Sequence, residues 1–216
     1  MIKPTTPQLV TFLSAQNPNA KFLDRLKIVY RPYICPFDEL LELIPPQSSV
    51  FDVGCGSGQF LLLVANYNEP KKIKGIEISS SLIVNANNLL KTYKDKCEIN
   101  FEQYTGDDIP EDICNYDMIT MIDVGHHIPK KAQLAFFKQL YQKMKPGAQL
   151  LYKDIDASSP LVYANKLHDM VLVQEIGHEM SESKTKEMFE NLNFQVEYSS
   201  KKTLFWYAHF TLLLRK

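Results

Sequence analysis

From residue 49 onward the chain alternates short apolar runs with longer stretches whose apolar positions recur at helical spacing. Ser49–Val53 reads as a strand running into a helix over 57–67, and a strand at 72–78 leads into a helix over 80–93. A strand at 98–104 opens into the acidic loop Gly106-Asp107-Asp108-Ile109-Pro110. A strand at 116–124 precedes a helix over 130–144, and Gln149–Ile155 follows the Lys145-Pro146-Gly147 turn. Met118–Ile122 is apolar on both faces, as a central parallel strand covered by helices is. Repeated strand–helix units imply an α/β fold with a mostly parallel sheet and right-handed crossovers. Ligands in such sheets sit beyond the carboxyl ends of the strands.

Both ends depart from that rhythm. In residues 1–45, Leu9-Val10 and Phe12-Leu13, then Phe22-Leu23, Leu26 and Ile28-Val29, recur at roughly helical spacing, with a polar break over 16–19. Residues 30–33 read as a pause, and Pro36 opens another helix that Pro45-Pro46 closes. Residues 1–45 are therefore expected to form a helical N-terminal cap on a domain spanning 46–216. At the other end, helices over 161–173 and 184–191 precede strands at 194–198 and 203–214. Only residues 199–202 separate those strands, so they are expected to pair as an antiparallel hairpin. The whole reads as a seven-stranded, mostly parallel sheet whose last strand is reversed.

Composition narrows the setting. Hydrophobic residues at 45% and a formal net charge of −1 fit a globular chain with no electrostatic call for a phosphate backbone or a membrane surface. Four scattered cysteines without a Cys-x-x-Cys pair fit a reduced compartment. No apolar run nears the roughly 20 residues of a membrane span, and the N-terminus lacks a signal-peptide core. A cytoplasmic location is expected.

The densest chemistry follows the first strand, where Gly54, Gly56 and Gly58 alternate. Glycines there allow positive φ and close ligand approach, and the next helix aims free N–H groups at the same place. Glu77 lies 23 positions beyond Gly54, about the distance at which a carboxylate grips ribose hydroxyls. Asp107 and Asp108 follow the third strand, where a carboxylate can accept an adenine amino proton. The dinucleotide fingerprint wants a glycine at 59, which is Gln59, and no Gly-Lys-Ser/Thr phosphate loop exists. The site accommodates a nucleoside without obvious provision for a pyrophosphate.

These residues, with Gly-Ile-Glu-Ile-Ser (75–79), Gly-Asp-Asp-Ile-Pro (106–110), Asp-Val-Gly-His-His-Ile-Pro (123–129) and Lys-Pro-Gly-Ala-Gln-Leu-Leu (145–151), resemble the successive motifs of class I S-adenosylmethionine-dependent methyltransferases. The resemblance spans roughly 46–216 and implies a Rossmann-like sheet with S-adenosylmethionine as cofactor. It implies Gly54, Gly56 and Gly58 around the methionine part, supported by Asp52, with Glu77 and the adjoining Ile78 at the ribose. Asp107 and the backbone of Asp108 and Ile109 would hold the adenine, and Ile122 and Asp123 the methionine end. By position, Arg31 or Tyr30 is expected to cover the cofactor carboxylate.

His126 and His127 follow the fourth strand on the rim where chemistry is expected, and either can act as a base near neutral pH. His127 is the preferred candidate, with Asp154 and Lys153 ending the fifth strand on the same rim. Shaping a loop or lining a solvated edge are the plainer readings of both pairs. Trp206, Tyr207 and His209 could wall an apolar acceptor, with core packing as their plainer role. Tyr33 and a lid helix carrying His168 complete the expected acceptor side; beside Asp169, His168 reads equally as a surface salt bridge. No histidine or cysteine spacing suggests a metal. The reading is O-methylation of a small or medium-sized apolar or aromatic acceptor by a monomer or homodimer, without nucleic acid and with a lipid-like acceptor open. A nucleotide-dependent oxidoreductase and a non-catalytic cofactor-binding protein are the rivals.

Overall fold

A computed structural model describes residues 4–16, 30–160 and 177–216. Seven strands belong to one sheet, and the chain divides into two compact units, residues 1–108 and 109–216.

The first unit holds helices α1 (Thr6–Gln16) and α2 (Phe37–Glu42), then β1 (Ser49–Val53), α3 (Gln59–Tyr67), β2 (Lys72–Glu77), α4 (Ser80–Leu89) and β3 (Glu98–Gln103). Its strands run β3-β2-β1, all parallel, with Val50 opposite Ile73 and Gly75 opposite Phe101. Leu61, Leu62, Leu63 and Val64 are fully buried on α3, the mark of a helix pressed on a sheet. The α4 helix starts where Ser79 accepts a hydrogen bond from Leu82 N at 3.4 Å, an N-cap that satisfies one orphan donor. Residues 30–34 are helical rather than a pause.

The second unit holds β4 (Met118–Ile122), α5 (Lys130–Lys143), β5 (Gln149–Ile155), α6 (Glu182–Asn191), β6 (Gln195–Leu204) and β7 (Tyr207–Arg215). Its strands run β4-β5-β7-β6. β4 and β5 are parallel, while β7 is antiparallel to both β5 and β6. All five residues of β4 are buried, as its two apolar faces require. Phe137, Tyr152, Phe189 and Phe210 interlock, with Phe137–Phe189 centroids at 4.9 Å and Tyr152–Phe189 at 5.2 Å. Edge-to-face rings at such spacing add to the area they bury.

The terminal hairpin corrects the sequence reading. Residues 199–202 are not its turn: β6 runs on to Leu204, which pairs with Tyr207. Ser199, Ser200, Lys201 and Lys202 are polar because β6 is an edge strand, where charge protects open backbone groups. The turn is Phe205-Trp206, with Phe205 at φ 54°. The lid helix expected over 161–173, with His168, lies outside the described residues. No helix among the described residues is long and apolar enough to cross a membrane.

Gly75 shows how tightly β2 is packed. A β-carbon there would stand 2.7 Å from Cys55 Sγ and 2.8 Å from the Phe101 ring. Gly75→Ala is expected to cost about 1–3 kcal/mol by overpacking. Urea unfolding measures this, and an unchanged midpoint would refute the close contact.

Candidate active site

In the first unit the chain leaves β1 through Gly54, Gly56 and Gly58 at φ 73°, 54° and 80°. Gly54 N and Cys55 N both donate to Ile76 O, at 2.9 and 3.1 Å, fastening the turn to β2. Glu77 then caps it: Oε2 accepts from Gly56 N at 3.0 Å and Oε1 accepts from Ser79 N at 3.1 Å. Each carboxylate oxygen keeps a second lone pair for a ligand hydroxyl. A β-carbon on Gly56 would meet nothing within 4 Å, so its backbone faces open space that a ligand can approach. At Gly58 a β-carbon would crowd Ala86 Cβ at 3.0 Å, so that glycine also serves helix packing. The turn thus sets a carboxylate acceptor beside an open backbone cradle, groups that suit the ribose and the polar end of S-adenosylmethionine.

The neighbouring residues differ in exposure. Asp52 is buried beneath the turn. Burial, then the charges of Asp52 and Glu77, pushes the Cys55 thiol far above its ordinary range, which makes it inert. Ile78, Asp107 and Asp108 are exposed, with Gly106 at φ 95° ahead of the acidic pair. Arg31 is half-buried and Tyr33 exposed on the helical residues 30–34.

In the second unit a short 3₁₀ turn, Gly125–His127, follows β4. His126 is buried and His127 exposed, with ring centroids 4.1 Å apart. His126 Nδ1 lies 2.5 Å from Asp154 Oδ1, and its backbone N–H donates to Asp154 Oδ2 at 3.0 Å. Tyr152 Oη also donates to Oδ2, at 2.9 Å, and Ile155 N to Oδ1, at 2.8 Å. Burial opposes ionisation of Asp154, but the His126 charge and hydrogen bond outweigh it and hold the carboxyl below its ordinary 3.8. Burial first, then the Asp154 charge, raises Tyr152 well above its ordinary 10.0, so it stays a donor. With Nδ1 facing a carboxylate, the neutral imidazole carries its proton there and its lone pair on Nε2.

Three residues brace this turn without having been singled out by their spacing. Gly125 has no room for a side chain, since a β-carbon would sit 2.1 Å from Tyr152 Oη. Gln133 Nε2 donates to Gly125 O at 3.2 Å and to His178 O at 3.0 Å. His178 N closes the loop on His126 O at 2.7 Å. Tyr152 and Gln133 stand outside the motifs, and only the fold shows their partners.

The remaining candidate residues differ in burial and partners. Lys153 is not on an open rim: it is fully buried and ion-paired with Asp123, which has φ 56°. Ile109 is buried, and its N–H donates to Gln139 Oε1 at 3.1 Å. Tyr207 and His209 are buried and stacked, with centroids at 5.9 Å, while Trp206 is 49% exposed at the hairpin turn. Among the described residues no His, Cys, Asp or Glu group is arranged to hold a metal ion.

The depressed carboxyl of Asp154 has a sign that can be checked. Its stabilisation is complete above 3.8 and is lost as pH falls through the lower folded value. Asp154→Asn is expected to lower stability at neutral pH by about 3 kcal/mol and to remove this part of the acid sensitivity. Urea midpoints across a pH series read both effects.

Comparison with known proteins fits this geometry. The family described as "Methyltransferase domain" matches residues 26–199. A carboxy-S-adenosyl-L-methionine synthase of Campylobacter curvus is 28% identical over 59% of this chain and 50% of its own length. The synthase of Campylobacter fetus is 24% identical over 85% of both chains. The chain thus spans half the length of the first of these relatives and most of the second. Among solved structures, the magnesium protoporphyrin IX methyltransferase of Synechocystis with bound SAH superposes with a TM-score of 0.68 at 16% identity, covering 92% of this chain and 89% of that one. Glycine turn, reversed last strand and sequence match agree: the chain belongs to the methyltransferase-domain family, with the class I fold and S-adenosylmethionine as that family's cofactor.

Proposed function

We propose that this chain methylates a hydroxyl oxygen on a small or medium-sized acceptor with an apolar or aromatic body. The observation that carries this reading is the buried His126–Asp154 pair, which fixes an imidazole tautomer with its basic nitrogen at Nε2. S-adenosylmethionine, when bound, supplies a methyl group whose bond to sulfur breaks as its bond to the acceptor oxygen forms. Gly54, Gly56 and Gly58 with Glu77 and Asp52 are the residues that would hold it, and Asp123 is assigned to its methionine end. His126 takes the acceptor's hydroxyl proton on Nε2, while Asp154 stays ionised and steadies the imidazolium. His127, exposed against the His126 ring, is assigned to acceptor contact rather than to proton removal. Orienting the reactants lowers the barrier by about 7–11 kcal/mol and a base by a further 3–5 kcal/mol. A net charge of −1 supports an uncharged small molecule over nucleic acid as acceptor.

A second reading follows from the Campylobacter relatives, which are named as synthases of carboxy-S-adenosyl-L-methionine. In that case a carboxyl group from a carboxylated co-substrate would replace one hydrogen of the cofactor's methyl group, which would leave as a proton, and no acceptor would be methylated. Mass spectrometry of the spent cofactor separates the two: S-adenosylhomocysteine supports methyl transfer, and a cofactor heavier by a carboxyl group supports synthesis.

Two variants test the assignments. Glu77→Ala is expected to weaken S-adenosylhomocysteine binding at least about tenfold in calorimetry, through loss of a charged hydrogen-bond acceptor. His126→Gln should bind it normally yet lower kcat by about 10²- to 10⁴-fold on a hydroxylated acceptor. Unchanged turnover at every pH would remove His126 as the base.

A further inference from the structure

We propose that Tyr152 is a positioning residue for the transfer, acting through Asp154 to keep His126 in its neutral, proton-accepting form; this rests on His126 being the base.

A tyrosine hydroxyl is an expensive group to bury where phenylalanine would pack as well. Tyr152 is nevertheless almost completely buried, its ring held by Phe137, Phe189 and Phe210 with centroids at 5.7, 5.2 and 5.9 Å. Its hydroxyl has a use in that setting: it donates to Asp154 Oδ2. Among the described residues that oxygen also accepts the His126 N–H, while Oδ1 faces Nδ1 of the same histidine. The place of the hydroxyl also excludes any side chain at Gly125, the first residue of the histidine turn. Tyrosine, carboxylate and imidazole therefore form a chain of fixed geometry on one strand and one turn.

The charges around His126 make the effect of that donor directional. Asp154 faces Nδ1, and Asp123 at the end of β4 acts on both Asp154 and Tyr152. On the other edge of the ring, His126 Cδ2 and Glu179 Oε1 lie 3.2 and 2.8 Å from where a Gly177 side chain would begin. These carboxylates favour the imidazolium. Among the described residues, Lys153 is ion-paired with Asp123, the His127 ring lies against His126, and His209 sits opposite Ile155 on β7. His178 approaches through its backbone, α5 offers the neutral Gln133, and α6 offers Phe189. A hydroxyl donating to Asp154 draws off part of the charge that would otherwise hold the proton on His126. During transfer the acceptor's proton goes to Nε2, the Nδ1 proton stays toward Asp154, and the Tyr152 proton does not move.

The test begins on the cofactor-free protein, with His126 followed through a pH titration by nitrogen–proton NMR. In Tyr152→Phe the His126 midpoint is expected to rise by about 0.5–1 unit, and the acid limb of kcat to move up with it. Activity below the midpoint then falls roughly three- to tenfold, while the alkaline plateau changes less. A folded Tyr152→Phe protein with an unmoved midpoint overturns the inference, even if His126→Gln is inactive and the base reading stands. A midpoint that rises while the acid limb stays put overturns the base reading and this role with it. Replacing tyrosine by 3,5-difluorotyrosine keeps the ring packing and strengthens the donor, so the midpoint should fall; a rise or no change also counts against Tyr152.

Discussion

One buried carboxylate sets the shape on which the cofactor half of this protein depends. Glu77 accepts Gly56 N–H and Ser79 N–H on separate oxygens, and so joins the glycine turn after β1 to the start of α4. Hydrogen bonds to a charged group contribute about 1.5–3 kcal/mol each, enough to hold a turn whose glycines all take left-handed conformations. With the turn held, α3 begins at Gly58 and the backbone of Gly56 faces open space. The rigidity of the cradle thus comes from the same side chain that is proposed to take the ribose.

The second unit repeats the device with a different outcome. Asp154 is also a buried carboxylate loaded with donors, but two of them belong to His126 and one to Tyr152. In the first unit the donors are backbone groups, so the result is a fixed loop. In the second they include an imidazole, so the result is a fixed tautomer with a directed lone pair. Gln133 and the Gly125 contact make that turn stiff enough for the direction to hold.

Much of this was legible in the sequence because its causes are local. A strand ending in alternating glycines leaves little choice of backbone, and Glu77 follows at the end of the next strand by the length of one βα unit. The two-faced apolarity of Met118–Ile122 reports burial directly, and β4 is buried throughout. What was illegible depends on partners far along the chain. Lys153 looks like a rim cation until Asp123 is seen to take it into the interior. Tyr152 looks like an ordinary core aromatic until its hydroxyl meets Asp154. Polar residues 199–202 resembled a turn because an edge strand and a turn share the same composition. The sequence favoured His127 over His126, because it does not show that one step along a 3₁₀ turn separates burial from exposure.

The central proposal has two parts: Glu77 in the first unit takes the ribose of the cofactor, and His126 in the second takes the acceptor's proton. A crystal structure with S-adenosylhomocysteine and an acceptor analogue tests it most directly. The account predicts both ribose hydroxyls on the Glu77 carboxylate, with Gly56 and Ser79 still bonded to it, and the acceptor oxygen within hydrogen-bond distance of His126 Nε2. A nucleoside bound away from Glu77, or an acceptor oxygen with His126 out of reach, would contradict it.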